Sequence, residues 1–119
     1  MLHNGDGNRI DFNDISLESL GGHILFGDVD ATSMKEATTF ILKSNQLFKP
    51  NRELTFFINT LGGYCADGFA LIDVMELSNN PIKTVGLGQI VSMGVLIACA
   101  GTKGSRYMTK KFNGHGTSI

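Results

Sequence analysis

Apolar residues fall along this chain in four short β-favouring runs, separated by stretches in which apolar positions recur at helical spacing. The first run is "HILFGDV" (23–29), followed by "DATSMKEATTFILKSNQLF" (30–48). In that second stretch Met34, Ala37, Phe40, Ile41 and Leu47 fall on one helical face. Ser33 with Glu36 three residues later reads as a capping box, and Pro50 ends the helix. "LTFFINT" (54–60) is a second strand, "LGG" a tight turn, and "YCADGFALIDVMELSN" (64–79) a second helix. That helix is apolar around most of its circumference, which predicts deep burial, and Asp67 near its start suits the helix dipole. Asn79-Asn80-Pro81 breaks it; "IKTVGLGQIV" (82–91) is a third strand, a charge-free helix opens at Ser92, and "SRYMTKK" (105–111) is a fourth strand. The order β-α-β-α-β-α-β predicts an α/β domain over residues 21–111, with right-handed crossovers and a buried parallel sheet. Residues 1–20 read as a mobile arm or marginal strand, and "FNGHGTSI" (112–119) as an irregular tail.

Length and composition narrow this reading without redirecting it. The chain has 119 residues, enough for one domain with its own core and too few for two. Ten basic and eleven acidic residues leave a net charge of -1, so the chain lacks the electrostatic footprint of a nucleic-acid binder. The local cluster Lys103, Arg106, Lys110 and Lys111 reads as a solvated rim. Cys65 and Cys99 form neither a CxxC pair nor a disulfide framework. Their apolar neighbours predict buried free thiols in a reducing compartment. The N-terminus lacks the features of a signal or transit peptide, and no apolar run reaches membrane-spanning length. A soluble cytoplasmic protein is expected.

Two strand-to-helix junctions could carry chemistry. In a parallel α/β sheet, ligands gather beyond the carboxyl ends of the strands, where helix N-termini point. The first junction is Asn59-Thr60-Leu61-Gly62-Gly63, where paired glycines let a backbone N–H face a ligand; it also suits an ordinary tight turn. The second is Gly88-Gln89-Ile90-Val91-Ser92-Met93-Gly94. A serine at a helix start is usually an N-cap, but the unpaired N–H groups there also favour developing negative charge. The stretch is not the G-x-S-x-G elbow of α/β-hydrolases, because Ile90 stands where the first glycine belongs. Together, the glycine turn and the residue after the serine could supply an oxyanion hole beside a nucleophile.

These junctions bring a resemblance with them. "FFINTLGGYCADGFALIDVM" followed by "IKTVGLGQIVSMGVLIACAGTKGSRY" resembles the proteolytic subunit of the Clp protease, whose two signatures recur here at their usual separation, from His23 to Arg106. The resemblance implies a crotonase-like α/β fold and a serine endopeptidase. Ser92 matches the catalytic serine, the N–H groups of Gly63 and Met93 match the oxyanion hole, and Gly62, Tyr64 and Cys65 fall where substrate lies extended. It further implies heptameric rings around a chamber, unfolded polypeptide substrates and a hexameric AAA+ unfoldase that uses ATP. No cofactor, metal, nucleic acid or membrane is implied for the chain itself.

The chain also departs from that pattern. Thr60-Leu61 replaces Ser-Pro and Ile90-Val91 replaces a small pair, both adding volume near Ser92. Counting from Ser92 without gaps puts the family's histidine base at Thr117; the nearest histidine is His115, between Gly114 and Gly116 and without the Gln-Pro expected after it. The triad acid and the helix that interlocks two rings lie, in the family, beyond residue 119, so the chain reads as C-terminally truncated. Asp67 and Asp73 read as structural, and neither His3 nor His23 has a sequence reason to be a base. The alternative is a catalytically impaired ring subunit that co-assembles with a complete peptidase. Acyl-CoA chemistry on the related crotonase fold stands third. With so few strands and helices, apolar surface should remain uncovered and drive self-association.

Overall fold

A computed structural model describes the backbone of residues 2–3 and 9–109 and the side chains of residues 11–109. Strands β1 (Leu2–His3) and β2 (Arg9–Ile10) form a small antiparallel pair. Two 3-10 turns, Phe12–Asp14 and Glu18–Leu20, lead into β3 (Gly22–Phe26). Next along the chain come α1 (Ala31–Leu47), β4 (Leu54–Thr60), α2 (Cys65–Leu77), β5 (Ile82–Ile90), α3 (Met93–Cys99) and β6 (Arg106–Met108). The alternation expected from the sequence is present throughout this region. Residues 110–119, with Lys110, Lys111 and His115 among them, lie outside the described residues, as do residues 1 and 4–8 of the segment read as an arm; its remainder holds the strand pair and the two turns.

Strands β3 to β6 form one sheet in the order β3-β4-β5-β6, parallel at every step. Because spatial order matches chain order, crossovers of one hand put every helix on the same face. Burial along the strands agrees: Leu54, Phe56, Ile58 and Thr60 are buried in β4 while the residues between them are half-buried. The buried set joins Met34, Ala37, Phe40 and Ile41 of α1, Leu71 and Met75 of α2, and Met93, Ile97 and Ala98 of α3. Thr84 ties the sheet to α3 through its hydroxyl, which donates to the Ala98 carbonyl at 2.8 Å. Among the described residues the helices therefore cover one face of the sheet, and the apolar surface expected to remain uncovered lies on the other.

Several local expectations change. The cap of α1 is Asp30, whose carboxylate accepts from Ser33 N–H at 2.8 Å while Ser33 Oγ accepts from Asp30 N–H at 3.1 Å. The capping box thus starts three residues before the Ser33–Glu36 pair, because Asp30 is where the backbone leaves the extended conformation. Leu47 is 78% exposed and Ser44 takes the buried position: Ser44 continues the spacing of Met34, Ala37 and Ile41, and Leu47 is the last residue of the helix. In α2 only Gly68, Leu71 and Met75 are buried, while Phe69 and Leu77 are exposed, as one face is all that α1, α3 and the sheet can reach. Cys65 and Cys99 are free but exposed: the first opens α2 and the second closes α3, each on the side of its helix away from the core. Among the described residues of the predicted stretch, β6 covers Arg106–Met108; Arg106 is half-buried there and its Nε donates to the Gly101 carbonyl at 2.8 Å.

Candidate functional site

Parallel pairing of β4 and β5 brings the loops at their carboxyl ends together. Thr60 and Ile90, the last residues of the two strands, are register partners, and Val91 N–H extends the ladder by donating to the Thr60 carbonyl at 3.0 Å. Just before this point the pairing is irregular: Leu87–Gln89 on β5 oppose the single residue Asn59 on β4. Gly88 takes φ +73 there, and Asn59 Nδ2 donates to the Leu87 carbonyl at 2.7 Å. Such bulges bend a strand and re-aim the residues beyond the bend. Here those residues lead directly to Ser92.

Ser92 is the only non-glycine residue with positive φ among the described residues (φ 56, ψ -124). This region belongs to glycine, and holding another residue there costs roughly 1–3 kcal/mol. The serine is not there to cap α3, because its side chain makes no capping hydrogen bond. It is exposed, while Met93 next to it is buried. The Met93 side chain lies against Gly68 of α2 so closely that a Cβ at Gly68 would strike it. Met93 therefore fixes the start of α3 with its side chain.

The glycine turn comes up against this junction. Gly62 and Gly63 have φ +100 and +154. A Cβ on Gly62 would sit 2.9 Å from Ser92 Cβ and 3.3 Å from Met93 N, so the two loops are in contact. A Cβ on Gly63 would collide with the Val29 carbonyl. Val29 holds the turn from both sides, its N–H donating to the Gly62 carbonyl at 2.9 Å and its carbonyl accepting from Tyr64 N–H at 2.8 Å. Gly62 N–H donates to Thr60 Oγ1 at 3.0 Å. Among the described residues, the N–H groups of Gly63 and Met93 are left without an acceptor. Two unengaged amides beside an exposed, strained hydroxyl form an arrangement that can receive a developing oxyanion.

The other sequence candidates are spread over the molecule. Tyr64 and Cys65 are exposed immediately after the turn; the Tyr64 backbone is already engaged, its carbonyl accepting from Gly68 N–H at 3.1 Å. His23 lies elsewhere, aligned with Phe56 and through it with Thr84, well before the strand ends that carry Ser92. Its Nδ1 is 3.1 Å from Glu18 Oε2, and its ring stacks on Phe40 at 5.2 Å and meets Phe56 edge-on. His115 lies outside the described residues. A cavity of about 870 Å³ between residues 16–23 and the outer side of α1 contains none of the Ser92 or glycine-turn residues. Among the described residues no group of His, Cys, Asp and Glu could hold a metal ion, and no helix is long and apolar enough to cross a membrane.

Val29 is a part of the site that sequence reasoning missed, while Asn59 and Thr60 stood within the first junction without a role for their side chains. Thr60 was legible in outline, since a threonine two residues before a glycine is an ST-turn signal. Val29 was not, because its contribution is backbone alone, made across a long sequence separation.

Comparison with known proteins agrees with the geometry. The Clp protease family model matches residues 15–113. The chain is 46% identical over 56 residues to the ATP-dependent Clp protease proteolytic subunit 2 of Thermobifida fusca, covering 47% of this chain and 28% of that protein. It is 36% identical over 89 residues to proteolytic subunit 1 of Frankia casuarinae, covering 74% of this chain and 42% of the relative. The chain thus spans less than half the length of these curated relatives. With the family model extending across the sheet, all three helices and both loops of the site, the chain belongs to the Clp protease family.

Proposed function

We propose that this chain carries the nucleophile of a Clp-type serine peptidase and acts on unfolded polypeptide. In this reading Ser92 Oγ attacks the carbonyl carbon of a peptide bond, and its proton passes to a general base. The carbonyl oxygen becomes an oxyanion received by the N–H groups of Gly63 and Met93. The tetrahedral species collapses, the C–N bond breaks, and the amine leaves with the proton from the base. Water then hydrolyses the acyl ester on Ser92 by the same route in reverse. His115 is the candidate base, and exposed Tyr64 and Cys65 flank the approach to Gly62. Peptide cleavage of this kind needs no cofactor in the chain itself. Family membership supports assembly into rings, heptameric in this proposal, served by an ATP-driven AAA+ unfoldase.

The observation that carries the reading is the strained, exposed Ser92 in contact with a turn that leaves Gly63 N–H unengaged. A fluorophosphonate probe tests it. Folded chain should be labelled at Ser92 and nowhere else, and Ser92→Ala should abolish the label. A folded preparation that takes up no probe would sink the peptidase reading.

A further inference from the structure

Thr60 has two functional groups, and the fold uses them on two different loops. It is the last residue of β4 and only 2% exposed. Its Oγ1 accepts the Gly62 N–H at 3.0 Å, closing an ST-turn over Leu61. Its γ-methyl occupies the place where a side chain on Gly94 would be, just inside α3 beyond Ser92. Its carbonyl holds Val91 N–H at 3.0 Å. One buried residue therefore touches the glycine turn with its hydroxyl and the serine-bearing loop with its methyl and backbone.

The hydroxyl has a selective effect. Two successive glycines offer two adjacent amides, each able to swing, and an oxyanion hole needs one of them held at a set place. Gly62 N–H is consumed by Thr60 Oγ1, and the Gly62 carbonyl is held by Val29 N–H. The plane of the next peptide is fixed as a result, and its N–H, that of Gly63, is the one left over. Without the hydroxyl, the buried Gly62 amide has no partner and the turn gains by rotating toward one. We infer that Thr60 is a positioning residue, whose hydroxyl takes the Gly62 amide so that the Gly63 amide is the one presented to an anion beside Ser92. The catalytic part of this inference rests on the peptidase reading; the amide assignment does not.

The test uses the full chain with three substitutions. Thr60→Val keeps shape and removes the acceptor, Thr60→Ser keeps the acceptor and removes the methyl, and Thr60→Ala removes both without adding volume. Amide exchange by NMR reads the assignment directly: Gly62 should be protected and Gly63 and Met93 unprotected. Thr60→Val, or Thr60→Ala where the valine variant does not fold, should speed Gly62 exchange about tenfold or more, and Thr60→Ser should restore protection. The second readout is the rate of fluorophosphonate acylation at Ser92. It should fall about tenfold to a hundredfold in the variants lacking the hydroxyl, below the full loss of an oxyanion donor, and return to within about threefold in Thr60→Ser. A folded Thr60→Val with protected Gly62 and wild-type acylation overturns the inference. So does equal loss in Thr60→Ser, which would assign the effect to the methyl. If wild-type chain is not acylated at all, the peptidase reading falls, and amide exchange alone decides the role of Thr60.

Discussion

At the scale of the residue, Ser92 holds its backbone in a conformation that glycine alone adopts freely. Serine and alanine carry the same Cβ penalty there, so Ser92→Ala should leave stability near that of the wild type. Ser92→Gly should be more stable than Ser92→Ala by about 1 kcal/mol, the strain relieved less the extra entropy of glycine in the unfolded chain. Urea denaturation of the two variants measures the difference. Equal midpoints would mean that the backbone at residue 92 stores no strain. Gly62 is the converse case. A methyl there meets Ser92 Cβ at 2.9 Å and the Val91 carbonyl at 3.1 Å, with φ at +100. Gly62→Ala should destabilise by about 1–3 kcal/mol and stop labelling of Ser92, because the turn and the serine loop would be forced apart.

Between elements, the two ends of the sheet are held by different means. At the Ser92 end the contacts are close approaches of backbone and small residues. Gly94 packs on the methyl of Thr60, with Ile90 Cγ2 3.1 Å from where a Cβ would stand. Gly94→Ala should therefore cost about 1–3 kcal/mol, and part of that cost should disappear on a Thr60→Ser background. A double-mutant cycle by thermal melting checks the coupling; strict additivity would place the clash elsewhere. At the opposite end the fastening is polar. Asn80, 2% exposed, donates through Nδ2 to the carbonyls of Lys49 and Arg52 at 2.8 and 2.9 Å and accepts from Asn45 at 2.9 Å. It joins the loop before β4 to the loop before β5. Asn80→Ala removes these hydrogen bonds between the two loops and should destabilise by about 1–3 kcal/mol. Ser92 labelling per folded molecule should not change, and a selective loss of label would show that the two ends are coupled.

For the whole molecule, the decisive feature is a sheet covered on one face. On the other, register places Ile24, Phe57, Val85 and Tyr107 side by side across all four strands. Ile24 and Phe26 are 53% and 56% exposed and Tyr107 is 50% exposed, with Lys83 over the Tyr107 ring as partial cover. Parallel sheets are ordinarily buried on both faces, and a continuous apolar row of this kind is associated with contact to another surface. The chain should self-associate in sedimentation velocity, and Ile24→Lys with Phe26→Lys should shift it toward monomer without loss of helical circular dichroism. A wild-type monomer at high concentration would contradict this.

Much of this molecule was determined by the sequence alone. Strand and helix order come from apolar periodicity and from breakers such as Pro50 and Asn79-Asn80-Pro81, because these signals are local. Two glycines and a serine at the ends of consecutive strands marked the site, because a parallel sheet delivers those ends to one edge. Tertiary structure alone decided the rest. Whether Ser92 caps its helix depends on a φ set by a bulge against Asn59 and a loop pressed on Gly62, neither of which is encoded next to the serine. Whether Cys65, Cys99 or Leu47 is buried depends on which side of a helix meets the sheet, and apolar neighbours in sequence do not specify that. Which glycine amide remains unengaged depends on Thr60 and Val29, the second reaching the turn from a separate strand segment through backbone groups that every residue but proline possesses.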